Sequence, residues 1–321
     1  MRPFLLTSAL AGLTLAACAA SPGAGTTDEP MAEAPPPYQV PATLAEATEG
    51  PSSVALFEVG DEDTTVYLMG TVHILRPDVA WKTPAYEAAF EAADAVFLEA
   101  DTESPEVIAA LGPMIGEMGV NPEGVTFSSY FEAEERQALD AALAGIGVPM
   151  AALEPYRPWL AATQIAVVGI QQLGGDPNAG VDKMIAGDAA AAGKDLRYFE
   201  TARGQIEIIA GVPDEAWADS LVADIDEMAD FEGYFAGLVG AWYDGRLDVV
   251  GEIMNDGMSV SPELAEAVLY RRNADWAEQL AELIETEEGT FLVAVGAGHL
   301  GGEKSVQDYL AERGYEAERA D

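Results

Sequence analysis

Val66-Tyr67-Leu68-Met69-Gly70-Thr71-Val72-His73 and Phe291-Leu292-Val293-Ala294-Val295-Gly296-Ala297-Gly298-His299 share one pattern. Each has an apolar run, a glycine at its end, two small or β-branched residues, and then histidine. Apolar runs this short read as β-strands. The glycine lets the chain leave the strand through conformations other residues resist, or lets a ligand approach the backbone. Histidine then falls just past the carboxyl end of the strand, the edge where ligands collect in open α/β sheets. His73 and His299 are the only two histidines in 321 residues. Two uses of one pattern place them in a shared site.

Further strands are expected at Ser53–Val59, Ala95–Glu99 and Leu196–Glu200. Helical periodicity marks Pro84–Ala92, Ala133–Ala144, Pro158–Leu173, Val181–Ala192, Pro213–Asp244, Pro262–Glu285 and Glu303–Arg313. Strands separated by helices define an α/β layer structure. The long middle, about 105 to 290, holds one convincing strand. The expected fold is therefore a central mixed β-sheet flanked by helices, its strands drawn from both ends of the chain, with a large helical insertion or cap.

Glu99 closes Ala95-Val96-Phe97-Leu98-Glu99. A carboxylate after four apolar strand residues is costly near a core unless it has a partner. Its other reading is the start of a solvated turn with Asp101 and Glu103. Two histidines and a carboxylate suit a divalent transition metal with an open position for water. A metal-free alternative makes Glu99 and a histidine an acid/base pair.

The N-terminus carries Arg2, an apolar run from Phe4 to Leu15, and then small residues, as in a secretory signal. Leu15-Ala16-Ala17-Cys18 resembles the lipobox of bacterial lipoproteins, and Cys18 is the only cysteine. The expected organisation is a signal peptide over 1–17, a Pro-, Ala- and Gly-rich tether over 18–50 behind a lipidated Cys18, and a folded body over 51–321. Ala19 after the cysteine, rather than aspartate, implies an outer-membrane lipoprotein facing the periplasm. Membrane attachment would run through the lipid only, because no later apolar run is long enough to span a bilayer. The formal net charge of −41 repels phosphate backbones, which argues against nucleic acid as a partner.

Several stretches together resemble the TraB/GumN family, related to the Tiki membrane-anchored proteases and sharing features with ChaN and erythromycin-esterase-like folds. They are Leu68 to His73, Phe97-Leu98-Glu99, Arg157-Pro158-Trp159-Leu160, Gly180-Val181-Asp182, Glu200-Thr201 with Gln205, Arg272-Asn273 with Trp276, and Val295 to Leu300. The resemblance implies a metal-dependent hydrolase site, peptidase-like, with His73, Glu99 and His299 as ligands and Mn, Co or Zn as candidate ions. The substrate would be a peptide or another small or extended molecule. Arg272 would be an electrophile or clamp, its alternative being an exposed helix arginine beside Arg271. Gly70, Gly296, Asn273, Asp182 and Glu200 would contact substrate or support the ligands, although Asp182 and Glu200 also suit helix capping. Trp159 and Trp276 read as core residues. The contrasting function is a non-catalytic ligand- or metal-binding regulatory lipoprotein, tied to signalling or polysaccharide biosynthesis.

Overall fold

The computed structural model describes residues 38–258 and 261–320. The signal-like segment, Cys18 and most of the expected tether lie outside the described residues.

Six strands form one mixed sheet: β1 (Leu56–Gly60), β2 (Thr64–Thr71), β3 (Ala95–Ala100), β4 (Asp195–Glu200), β5 (Gly289–Gly296) and β6 (Glu318–Arg319). Their spatial order is β4-β3-β5-β2-β1-β6. The expected α/β class with a mixed sheet is what the chain adopts. β4, β3, β5 and β2 run parallel, whereas β1 forms an antiparallel hairpin with β2 and β6 pairs antiparallel with β1. The hairpin turns at Asp61, whose carboxylate accepts from the backbone N–H groups of Asp63 and Thr64.

β5 inserts between β3 and β2, which explains its unbroken apolar sequence: Phe291 to Val295 are all buried. A central parallel strand covered on both faces has no solvent side to make polar. The register of β2 and β5 pairs Gly70 with Val295 and Thr71 with Gly296. The two glycine–histidine turns therefore leave the sheet side by side. Ala100 pairs with Glu200 across β3 and β4, so four parallel strands end at one edge.

Between β3 and β5 the chain is helical apart from β4. The expected Pro213–Asp244 helix is three pieces, Asp214–Ala223, Ile225–Ala229 and Phe231–Tyr243. Periodicity continues across the breaks, but Asp224 and Asp230 stand at the junctions, and the Asp230 carboxylate accepts from Gly233 N–H to restart the helix. Helices Pro105–Met118, Ala202–Gly211 and Leu247–Met258 were not anticipated. Trp242 fixes the cap to the sheet by donating to the Gly70 carbonyl at 2.8 Å.

The expected tether ends earlier than residue 50. A short helix, Leu44–Ala47, is capped by Thr43 and buries Leu44 and Ala47 in the main core. Gly240 on the Phe231–Tyr243 helix leaves room for Tyr38 and Pro41, so this segment packs on the folded body.

Candidate functional site

The carboxyl edge of the four parallel strands gathers most of the residues singled out in the sequence. Glu99 ends β3 and is buried. Its Oε1 accepts from the Gly296 N–H at 2.7 Å, and its Oε2 accepts from Gln205 at 2.9 Å and Arg272 at 2.7 Å. Burial alone would raise its pKa, but the Arg272 charge, then both histidines and the Gly296 N–H, hold it well below the usual carboxylate range. Glu99 is an ionised buried group, not the start of a solvated turn.

His73 and His299 flank that carboxylate. His73 Nε2 lies 4.0 Å and His299 Nε2 lies 3.8 Å from the same Oε1. Gly296 sits among the three: a Cβ there would stand 3.1 Å from Glu99 Oε1 and 3.3 Å from His73 Nε2. Its φ of −51° suits any residue, so close approach is what requires glycine at this point. Gly70 is also a close-approach glycine, since a Cβ would press on Ala297 at 3.0 Å.

The two imidazoles are held in opposite states. His299 is only 2% exposed, and its Nε2 is 3.1 Å from Arg272 Nη1. Arginine can only donate, so Nε2 accepts and the ring proton sits on Nδ1. Nδ1 then donates to Asn273 Oδ1 at 2.6 Å, and the Asn273 amide is oriented by its own donation to the Lys304 carbonyl at 2.8 Å. Burial first, then the Arg272 charge, pushes His299 down to about 3. It is neutral.

His73 has a carboxylate instead. Val181 N–H donates to the Val72 carbonyl at 2.9 Å, which brings the start of the Val181–Ala192 helix against the turn. Asp182 Oδ2 then lies 3.2 Å from His73 Nδ1. Burial acts to lower the His73 pKa, but the Asp182 charge and hydrogen bond, followed by Glu99, outweigh it and lift His73 to about 9. Its buried Nε2 has no hydrogen-bond partner among the described residues.

Arg272 ties the edge together. It also bonds Glu200 through Nε at 2.7 Å and Nη2 at 3.1 Å, and its guanidinium lies 4.7 Å from the Trp276 ring centre. Helical rotation decides between neighbours: the Arg271 side chain is 74% exposed and that of Arg272 is 2% exposed. A π-helical turn, Glu266–Tyr270, ends two residues before Arg272 and offers the Val268 carbonyl to Nη1. Burial and the nearby Glu99 raise the Glu200 pKa against the pull of Arg272. Glu200 is not a cap; Thr201 accepts from Gly204 N–H and caps the next helix. Trp276 is core and site wall together, its ring tilted against the His299 ring at 4.4 Å and its indole N–H donating to Glu200 at 3.1 Å. Trp159 is core, with its indole N–H satisfied by the Met118 carbonyl.

Sequence reasoning left Gln205 and Thr71 without roles. Gln205 lies one helical turn beyond Thr201, on the face turned back to Glu99, a direction that only the packing of the Ala202–Gly211 helix sets. Thr71, beside Gly70, is 3% exposed and lines a chamber of about 50 Å³ with His73, Glu99, Asp182 and Gln205.

The donors divide when a metal is considered. Nε2 of His73 is buried, has no partner and is backed by a carboxylate, the arrangement a ligating histidine carries. Glu99 Oε1 faces the same chamber. The lone pair on Nε2 of His299 is already used by Arg272. Accordingly, no group of three or more His, Cys, Asp or Glu side chains is arranged to hold an ion among the described residues. The residues fit a metal at His73 and Glu99; His299 joins them only if Arg272 releases its lone pair.

Fold and site together define an α/β protein with a buried charged network at the carboxyl edge of a mixed sheet. The chain belongs to the TraB/PrgY/gumN family, whose model matches residues 55–319. It is 32% identical over 73 residues to a protein from Amphimedon queenslandica described as a metalloprotease TIKI homolog. That match covers 22% of this chain and 14% of the relative, so the two share a small part of the relative's length. No solved structure gives a significant match.

Proposed function

We propose that this protein is a hydrolase of peptide-type amide bonds, working with a divalent ion at the chamber between His73 and Glu99. The carrying observation is the partnerless buried Nε2 of His73, held from behind by Asp182 at 3.2 Å and facing Glu99 at 4.0 Å. The similarity to a protein described as a metalloprotease supports the same reading. His73 and Glu99 would hold the ion, with Mn, Co and Zn all compatible with imidazole and carboxylate donors. Such an ion polarises a carbonyl and lowers the pKa of water.

The chain's own groups prepare the site. Arg272 and the Gly296 N–H keep Glu99 ionised, so a negative oxygen faces the chamber. Asn273 fixes the His299 tautomer and keeps the ring from turning. Asp182 holds the His73 ring with Nε2 directed at the chamber. Arg272 balances Glu99 and Glu200 in a space from which water is largely excluded, where each interaction is stronger than in solvent.

A peptide-library digestion with detergent-solubilised full-length protein and added Mn, Co or Zn tests this reading. Wild type should generate new termini, and His73→Ala and Glu99→Gln should not. Equal digestion by wild type and both variants would remove it. The second reading is a regulatory protein that binds a ligand or metal without turnover. It is favoured by the chamber volume of about 50 Å³, which holds water or an ion and not a peptide segment. Metal binding by wild type with no digestion would select it.

The same proposal places the protein on the periplasmic side of the outer membrane, anchored by lipid at Cys18, on the strength of Leu15-Ala16-Ala17-Cys18. Cys18→Ser should move the chain from the membrane fraction to the soluble fraction.

A further inference from the structure

Thr71 occupies the first position after the glycine in one turn, where the other turn has Ala297. The two turns are otherwise matched in pattern and strand register, so a hydroxyl is present on one side only. That hydroxyl is buried and has no partner among the described residues. A strand-end position this enclosed would accept valine, which has the same shape. Leaving a buried hydroxyl unsatisfied is costly, because its desolvation is not repaid.

The same chamber presents two other partnerless buried atoms, Nε2 of His73 and Oδ1 of Asp182. Its volume of about 50 Å³ exceeds what one water needs, roughly 10–15 Å³ on the same measure, and polar partners such as the Thr71 hydroxyl and Asp182 Oδ1 are what hold such a water. Thr71 pairs in register with Gly296, so β5 brings no side chain over the hydroxyl from across the strand pair.

We propose that Thr71 is a positioning residue whose hydroxyl, together with Asp182 Oδ1, holds the water consumed in hydrolysis next to Nε2 of His73. This rests on the hydrolase reading for the use of that water, and on geometry alone for its position. In the reaction served, the water oxygen bonds to the carbonyl carbon and the C–N bond breaks. Both water protons end on the departing amine as a carboxylate forms.

The test compares full-length wild type, Thr71→Val and Thr71→Ser, each stripped of metal with chelator, in crystals diffracting to high resolution. Wild type and Thr71→Ser should show a solvent oxygen within about 3.2 Å of the side-chain hydroxyl inside the chamber, and Thr71→Val should lack it. A dry chamber in wild type, or the same solvent in Thr71→Val, would overturn the proposal. On any peptide that wild type cleaves, Thr71→Val should lower kcat about 100-fold with KM within about twofold, and Thr71→Ser should recover most of the loss. A purely structural threonine would show no rescue by serine. If wild type cleaves no peptide, the hydrolase reading fails while the solvent comparison still decides whether Thr71 holds water.

Discussion

His73 and His299 enter the site through matched turns and leave it with opposite proton affinities, because one faces Asp182 and the other faces Arg272. Proton-detected NMR of the imidazoles reads this directly, since the chain has only two histidines. His73 should titrate at about 9, and His299 should stay neutral down toward pH 3. Asp182→Asn should bring the His73 midpoint down toward the ordinary 6.5. The folded pKa lies above the unfolded one, so the His73–Asp182 pair contributes fully below about pH 6.5 and its contribution is lost as pH rises through about 9. Urea midpoints measured across that window should fall with pH in wild type and be flatter in Asp182→Asn. The pairing of two histidines was legible from the repeated glycine–histidine spacing. Their difference was not, because Asp182 and Arg272 reach them from helices far along the chain.

Among the elements, β5 and the Arg271–Thr286 helix do most to build the site. β5 supplies the Gly296 N–H and delivers His299, while the helix supplies Arg272, Asn273 and Trp276. Arg272 bridges two carboxylates, the buried Glu99 and the largely enclosed Glu200. Replacing it with methionine keeps bulk but strands both charges, and urea unfolding should show a loss of about 3–5 kcal/mol. Adding Glu200→Gln to Arg272→Met should recover part of that loss. If Arg272→Met alone is neutral, the network carries little of the stability assigned to it. Strand positions were readable because their apolar runs are continuous. The break-up of Pro213–Asp244 was not, since Asp230 restarts the helix through a local bond to the Gly233 N–H that leaves the hydrophobic period intact. The burial of Arg272 rather than Arg271 depends on one helical step and on the π-helical turn before it.

At the scale of the whole molecule, 56 acidic against 15 basic residues leave a net charge of −41. Self-repulsion of that size opposes the compact state and is screened by salt. The thermal midpoint should therefore rise between about 0.1 and about 1 M NaCl, more than a buried network of ion pairs alone would allow. A midpoint that falls over this range would show that surface repulsion is not the dominant long-range term. The overall fold was legible as a class, since apolar strands drawn from both ends of the chain and separated by helices meet in one mixed sheet. The helical segment at Leu44–Ala47 was hidden in a composition that reads as linker, and only two buried side chains, Leu44 and Ala47, mark it as part of the body.

His73 and Glu99 are proposed to form one ion-binding site at the carboxyl edge of the sheet. Titration calorimetry of metal-free full-length protein with Mn, Co or Zn, run in buffers of different ionisation enthalpy, tests it most directly. Wild type should bind one ion per chain with release of the His73 proton, more tightly as pH rises toward about 9, and His73→Ala and Glu99→Gln should abolish binding. Binding of equal stoichiometry and affinity in wild type and both variants would rule out an ion between His73 and Glu99.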